Sequence, residues 1–238
     1  MTQERKHIIS ENYKRITEKI ENAKARRDSS VKGDVTLLAA TKTVDPQEIL
    51  FAIHELGLPA VGENKVQEFL AKYDQLRGKA PLHILGHLQT NKVRQVVGKA
   101  DMIQSVDSLR LASEIGKRSQ AAGVVTDILA EINIGQEDNK TGILPQDTKA
   151  FTDALEEIPG IRLRGLMTMA PICSKKVEYY KYFCKTYEIY LDIFGKKPHN
   201  RIESVLSMGM SDSFEAAIEA GATMVRIGSA IFGPRIYL

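Results

Sequence analysis

Val35-Thr36-Leu37-Leu38-Ala39-Ala40-Thr41-Lys42-Thr43-Val44-Asp45-Pro46 runs from an apolar stretch of strand length into a helix start. The run Val35–Thr41 reads as a buried strand, and Pro46 suits the first turn of a helix. The same alternation continues on the carboxyl side. Strands are expected at Ala60–Gly62, Leu82–Gly86, Met102–Val106, Val125–Asn133, Leu163–Met167, Ser204–Ser207 and Thr223–Ile227. Helical patterns fall between them, at Pro46–Leu56, Lys65–Leu76, Ser108–Ala121, Gln146–Glu156, Lys175–Phe194 and Ser213–Ala220. Gly57, Gly78, Gly116 or Gly123, Gly195 and Gly221 suit helix ends. On the amino side, Ile9, Tyr13, Ile16, Ile20 and Ala23 recur every three to four residues, which predicts an amphipathic helix over 5–28. Eight strand candidates in alternation with helices argue for a parallel sheet. Closure into a (β/α)8 barrel with one extra amino-terminal helix fits the length. An open doubly wound sheet is the alternative, because periodicity carries no information about closure. With no linker-like or low-complexity segment to divide the chain, one domain over 1–238 is expected, its barrel spanning about 34–235.

Composition narrows the function. The 238 residues are 43% hydrophobic and 26% charged, with 33 basic and 30 acidic side chains giving a net charge of +3. That balance offers no electrostatic case for nucleic acid. No stretch approaches the ~20 apolar residues needed to span a bilayer, and the charged start Met1–Lys6 lacks an apolar signal core. Two cysteines, Cys173 and Cys184, show no metal-ligand spacing and fit a reduced setting, so a cytoplasmic protein is expected. His83 and His87 have no third ligand in sequence reach, and no Gly-x-Ser-x-Gly elbow marks a hydrolase nucleophile.

In a parallel barrel, functional groups gather at the carboxyl ends of the strands. Lys42 stands at such an end. Desolvation there favours the neutral amine, which can attack an aldehyde to form a Schiff base, although a strand-end lysine can equally snorkel into water. Two later turns, Ser207-Met208-Gly209-Met210-Ser211-Asp212 and Val225-Arg226-Ile227-Gly228-Ser229, follow the last two strands. The loops after strands seven and eight are where barrels often hold phosphate. The backbone N–H groups of the first turn, with Ser207 and Ser211, form a candidate anion site; a plain helix cap at Ser211 is the alternative. Gly228 lets the backbone approach closely, Ser229 adds a hydroxyl, and Arg226 is placed to face a ligand or to make a buried ion pair. Asn64 and His87 end two other strands. Lys65, Lys92, Arg94 and Lys99 read as a solvated basic face.

Taken together, these segments resemble the pyridoxal phosphate homeostasis family, single-domain proteins related to the barrel domain of alanine racemase. The resemblance runs from about Asp34 to Arg235. It rests on Ala40-Thr41-Lys42-Thr43, on Gly62-Glu63-Asn64 with Val66-Gln67-Glu68, and on His83-Ile84-Leu85-Gly86-His87-Leu88-Gln89-Thr90-Asn91-Lys92. Asn139-Lys140-Thr141-Gly142, Arg164-Gly165-Leu166-Met167, the Ser207–Asp212 turn and Val225–Gly233 complete it. The resemblance implies a fold-type III barrel in which Lys42 holds pyridoxal 5'-phosphate as an internal aldimine. It further implies phosphate anchoring by Ser207, Gly228 and Ser229, Met208 and Asn64 lining the cofactor, and Arg226 facing the pyridine nitrogen. Lys65 and Leu82 depart from the family, standing where an aromatic and a tryptophan are common.

Three functions compete. A carrier that stores, buffers or delivers the cofactor, with no catalytic residues and with cofactor-dependent apoenzymes as candidate partners, is favoured. Racemisation needs acid–base groups on both faces of a ligand, and Leu238 follows closely on the last motif, so no second domain supplying one is expected. Without that domain's subunit contacts a monomer is expected. An arginine at the pyridine nitrogen, a side chain that stays charged and only donates, would also weaken the ring as an electron sink. A weak cofactor-dependent racemase is the runner-up, and a cofactor-free Schiff-base aldolase is the third reading.

Overall fold

The computed structural model describes residues 1–29, 31, 33–195 and 204–233. Its elements follow the expected alternation: α1 (Gln3–Ala25), β1 (Thr36–Ala40), α2 (Pro46–Leu56), β2 (Ala60–Glu63), α3 (Val66–Leu76), β3 (Leu82–Ile84) and a short α4 (Val93–Val96). Next come β4 (Met102–Val106), α5 (Leu109–Ala121), β5 (Thr126–Ile132), α6 (Thr148–Glu156), β6 (Ile161–Thr168), α7 (Lys176–Phe194), β7 (Val205–Ser207), α8 (Phe214–Glu219), β8 (Met224–Ile227) and α9 (Ser229–Phe232). The strands pair in sequence order as a closed parallel barrel. Closure comes from β1 beside β8, with Leu38 opposite Arg226 and Ala39 opposite Ile227. The open-sheet alternative is thereby excluded. The expected barrel limit at Arg235 lies outside the described residues.

Local chemistry sets these boundaries. Asp45 caps α2 by accepting the Gln47 N–H at 2.8 Å, Pro46 occupies the first turn, and Gly57 closes the helix at φ 73°. Ser108 caps α5 through the Leu111 N–H. The first helix ends at Ala25 rather than at residue 28, because Arg26 and Arg27 turn away to serve another element. Arg26 meets Glu219, and the Arg27 guanidinium donates to the carbonyls of Ile218 and Ala222. The buried stripe of α1, Ile9, Ile16, Ile20 and Ala23, packs against α8, α9 and α2, closing that side of the barrel.

Alternation along the strands then builds two cores. Outward side chains such as Ile103, Ile128, Leu166 and Val225 meet the helices, where Ala112, Ile115, Phe151 and Phe183 are buried. Inward, Leu38, Ala60, Leu85 and Met224 form one apolar cluster, and Met102, Leu129 and Met167 form another. Gly165 lies at a register shift between β5 and β6 with φ 148°. A Cβ there would fall 1.9 Å from the Val205 carbonyl, so only glycine lets β7 come this close.

Candidate functional site

A cleft of about 920 Å³ opens at the carboxyl end of the barrel, on the seam where β1 meets β8. That volume lies within the ~300–1,000 Å³ usual for small-molecule sites. Lys42 lines it from the end of β1, with Arg226, Gly228 and Ser229 from β8 and the loop after it, and Met210 and Ser211 from the β7–α8 turn. Lys42 is half-buried, and Thr43, just after it, takes φ 62°, a left-handed conformation unusual for a β-branched residue. The Val44 N–H reaches back to the Thr41 carbonyl at 3.0 Å, so the strand ends in a tight turn with the lysine at its edge. Ser211 and Ser229 bring their hydroxyls to 3.4 Å of one another. Gly228 has a packing reason as well, since a Cβ there would lie 2.5 Å from the Ala40 carbonyl.

Beneath this floor runs a chain of buried hydrogen bonds. Arg226, 5% exposed, donates from Nη1 to Ser207 Oγ at 2.6 Å and from Nη2 to the Thr168 carbonyl at 2.8 Å. Ser207 donates to Gln104 Oε1 at 2.7 Å, and Gln104 Nε2 lies 2.8 Å from His83 Nδ1 and 3.2 Å from the Met224 sulfur. The direction follows from the chemistry. A guanidinium only donates, so Ser207 accepts from Arg226 and passes its own proton to Gln104. The Gln104 amide then donates to His83, whose proton is therefore assigned to Nε2. Burial pushes His83 down to about 4, which keeps it neutral and able to accept. Burial likewise draws Arg226 down to about 10, opposed by the charge of Glu131, so the guanidinium remains charged at neutral pH.

Two further carboxylates are buried, Glu63 at the end of β2 and Glu131 near the end of β5. Glu63 Oε1 accepts from Lys72 Nζ at 2.7 Å and from the Thr41 hydroxyl at 2.8 Å, and Lys72 also holds the Thr41 carbonyl at 2.6 Å. Burial outweighs both partners and raises the Glu63 carboxyl above its usual range. This pair props the peptide just before Lys42. Glu131 is raised in the same way, with Thr141 as its hydrogen-bond donor.

Of the seven residues singled out from sequence, the structure brings Lys42, Arg226, Gly228 and Ser229 together on the cleft wall. Ser207 is fully buried behind Arg226, and Met208, also fully buried, belongs to the outer core. Asn64, partly buried after β2, packs its backbone against Gly86. Lys65 is exposed and Leu82 buried. Lys72, Gln104 and Glu131 were not anticipated. Lys72 had a legible signal, since its spacing from Val66, Phe69 and Leu76 sets it on the buried face of α3. Gln104 and Glu131 alternate with inward Met102 and Leu129. Among the described residues, no group of three or more His, Cys, Asp or Glu could hold a metal ion, and no helix is long and apolar enough to cross a membrane.

Residues 11–235 match the family described as alanine racemase, N-terminal domain. The pyridoxal phosphate homeostasis protein of Aquifex aeolicus (strain VF5) is 40% identical over 228 residues, 95% of this chain and 98% of that relative. The protein of the same description from Escherichia coli (strain K12) is 38% identical over 233 residues, 96% of this chain and 97% of that one. Among solved structures, PipY of Synechococcus elongatus PCC7942 with PLP bound superposes with a TM-score of 0.76 at 30% identity, covering 90% of this chain and 100% of that one. Alanine racemase of Clostridium difficile 630 shares the fold, with a TM-score of 0.72 at 16% identity, over 94% of this chain and 57% of that one.

Proposed function

The chain belongs to the pyridoxal phosphate homeostasis family, and from that premise we propose that it holds pyridoxal 5'-phosphate at the β1–β8 seam and serves the homeostasis of that cofactor without turnover of its own. One observation carries the assignment to this cleft. A lysine amine, a buried guanidinium and a glycine–serine turn, the three kinds of group an aromatic aldehyde phosphate needs, converge on one cavity of suitable size. The bound cofactor supplies an aldehyde that condenses reversibly with a primary amine. Lys42 offers that amine, on a turn that Thr43, Lys72 and Glu63 hold rigid. Gly228 and Ser229 take the phosphate. Ser207 acts from below, through the hydrogen bond that fixes Arg226. Met208 and Asn64 support the cleft from the layer behind it.

Arg226 also argues against a catalytic role. A guanidinium, which only donates, would leave a ring nitrogen placed against it unprotonated and the ring a poor electron sink. Sequestering a reactive aldehyde requires binding and release only. We further place the protein in the cytoplasm, as a one-domain monomer whose candidate partners are cofactor-dependent apoenzymes.

The test is the absorption spectrum of the full chain with added pyridoxal 5'-phosphate, before and after borohydride, followed by peptide mass mapping. A yellow protein carrying a reduced pyridoxyl group on Lys42, with none on Lys42→Ala, is expected. A colourless protein that takes up no cofactor would overturn the assignment. Robust racemisation or decarboxylation of any amino acid would replace the carrier with an enzyme.

A further inference from the structure

Two lysines line the cleft, Lys42 from the end of β1 and Lys72 from the buried face of α3. Lys72 is 8% exposed, and its Nζ is engaged by the Thr41 carbonyl at 2.6 Å and by Glu63 Oε1 at 2.7 Å. Thr41 is thereby held through every polar group it has. Its N–H donates to the Gly62 carbonyl at 3.0 Å and its hydroxyl to Glu63 Oε1 at 2.8 Å, while its carbonyl accepts from both Lys72 and the Val44 N–H. On the other side, Asp45 is fixed as the cap of α2. Lys42, Thr43 and Val44 span the interval between these anchors, with Thr43 at φ 62°. That conformation is costly for a β-branched residue and persists only where its surroundings hold it. Lys72 brings part of that hold from a different helix.

We propose that Lys72 is a positioning residue that makes Lys42 the reactive amine of the cleft. The inference rests on the cofactor assignment above and adds a residue to it. As the cationic half of an ion pair with Glu63, Lys72 has no lone pair with which to attack an aldehyde. Its bond to the Thr41 carbonyl instead offsets part of the cost of the left-handed turn two residues on, and so keeps Lys42 at the cleft wall. Condensation joins the Lys42 nitrogen to the aldehyde carbon, and the aldehyde oxygen leaves as water with both amine protons. No other reactant enters, so the placement of that nitrogen governs how tightly the aldehyde is held. Where the turn is free to relax, only a fraction of molecules present Lys42 correctly, and the apparent affinity falls by that fraction. Glu63 completes the device, because one carboxylate oxygen takes both Lys72 and the Thr41 hydroxyl.

The test is a cycle of four full-length proteins titrated with pyridoxal 5'-phosphate by absorbance, each checked for folding by circular dichroism. The brace is removed by Glu63→Gln together with Lys72→Met, which takes away both charges and leaves no buried ion unpaired. The turn is relieved by Thr43→Gly, since glycine takes positive φ freely and the Thr43 side chain is exposed. The fourth protein carries all three changes. With Thr43 retained, loss of the brace should weaken binding about five- to thirtyfold, the left-handed penalty of an ordinary residue expressed as an equilibrium. With Thr43→Gly, the same loss should change affinity by no more than about twofold, the scatter of independent sites. Borohydride reduction and peptide mapping of wild type, which need no substitution, should find the pyridoxyl group on Lys42 and none on Lys72. Equal losses with and without Thr43→Gly, no loss in either case, or a pyridoxyl group on Lys72 would each overturn the proposal. A wild type that takes up no cofactor would remove the cofactor assignment and this inference with it, an outcome distinct from equal losses.

Discussion

His83 is a basic side chain that the barrel holds neutral, because its ring is buried and its Nδ1 accepts from Gln104. The sign of the linkage follows. The unfolded chain takes up this proton below about 6.5, while the folded chain waits until about 4. Between those limits the unfolded state binds more protons, so this group's contribution to stability is complete above the upper limit and falls as pH drops towards the lower one. The gap corresponds to about 3 kcal/mol. The raised carboxyls of Glu63 and Glu131 act in the opposite sense over their own range, so a difference between variants isolates the histidine. His83→Gln should flatten the fall in melting temperature between pH 7 and 4.5, followed by circular dichroism. An unchanged slope would mean that the ring takes up its proton in the fold as it does in the unfolded chain. At this scale the sequence was legible where a strand ends. Lys42, Gly228 and Ser229 stand where polarity breaks an apolar run at a strand end, and Arg226 lies on β8 two residues before such a break. Gln104 and Glu131 stand inside strands, where a lone polar residue points into a barrel only once closure is known.

The helix before the barrel shows the same limit one level up. Apolar spacing in α1 announces a packed helix but says nothing about what it grips. Arg5 donates to both oxygens of Glu48 on α2 at 2.7 Å and to the Phe232 carbonyl at 2.6 Å, and Asn12 holds the Ile231 carbonyl at 3.0 Å. Two residues near the start of α1 thus secure the end of α9, the short helix that begins at Ser229. Arg5 itself lines the cleft. Its pairing with Glu48 is partly exposed and is worth no more than about 1 kcal/mol, and the carbonyl bond adds about as much. Arg5→Ala should therefore lower stability by about 1–2 kcal/mol and weaken cofactor binding severalfold, because the Gly228–Ser229 turn loses its brace. Lys19→Ala, which removes a peripheral pair with Glu215 at 3.5 Å, should leave affinity unchanged. Thermal melts with parallel cofactor titrations separate these outcomes. Equal affinities for all three proteins would confine Arg5 to structural support.

Closure itself was beyond the reach of periodicity, because it is a contact between the two ends of the barrel. Residues 36–39 pair with residues 224–227, and the cleft lies on that pairing, with Lys42 just past β1 and Arg226 on β8. A ligand bonded to both sides ties together segments that separate only when the whole barrel opens. Its binding energy should therefore appear in global stability and not merely in local order. At a free cofactor concentration a hundred times the dissociation constant, the gain is about 2.7 kcal/mol. For a chain of this size that corresponds to a rise in melting temperature of roughly 5–10 °C. The rise should be absent in Lys42→Ala. Borohydride reduction should make it independent of added cofactor, because the link can no longer dissociate. The competing outcome is a loaded protein whose melting temperature does not move. The unfolded chain also presents lysine amines to the aldehyde, and equal uptake by both states cancels the gain. Such a result would show that Lys42 reacts as an ordinary amine and that the cleft around it adds no affinity.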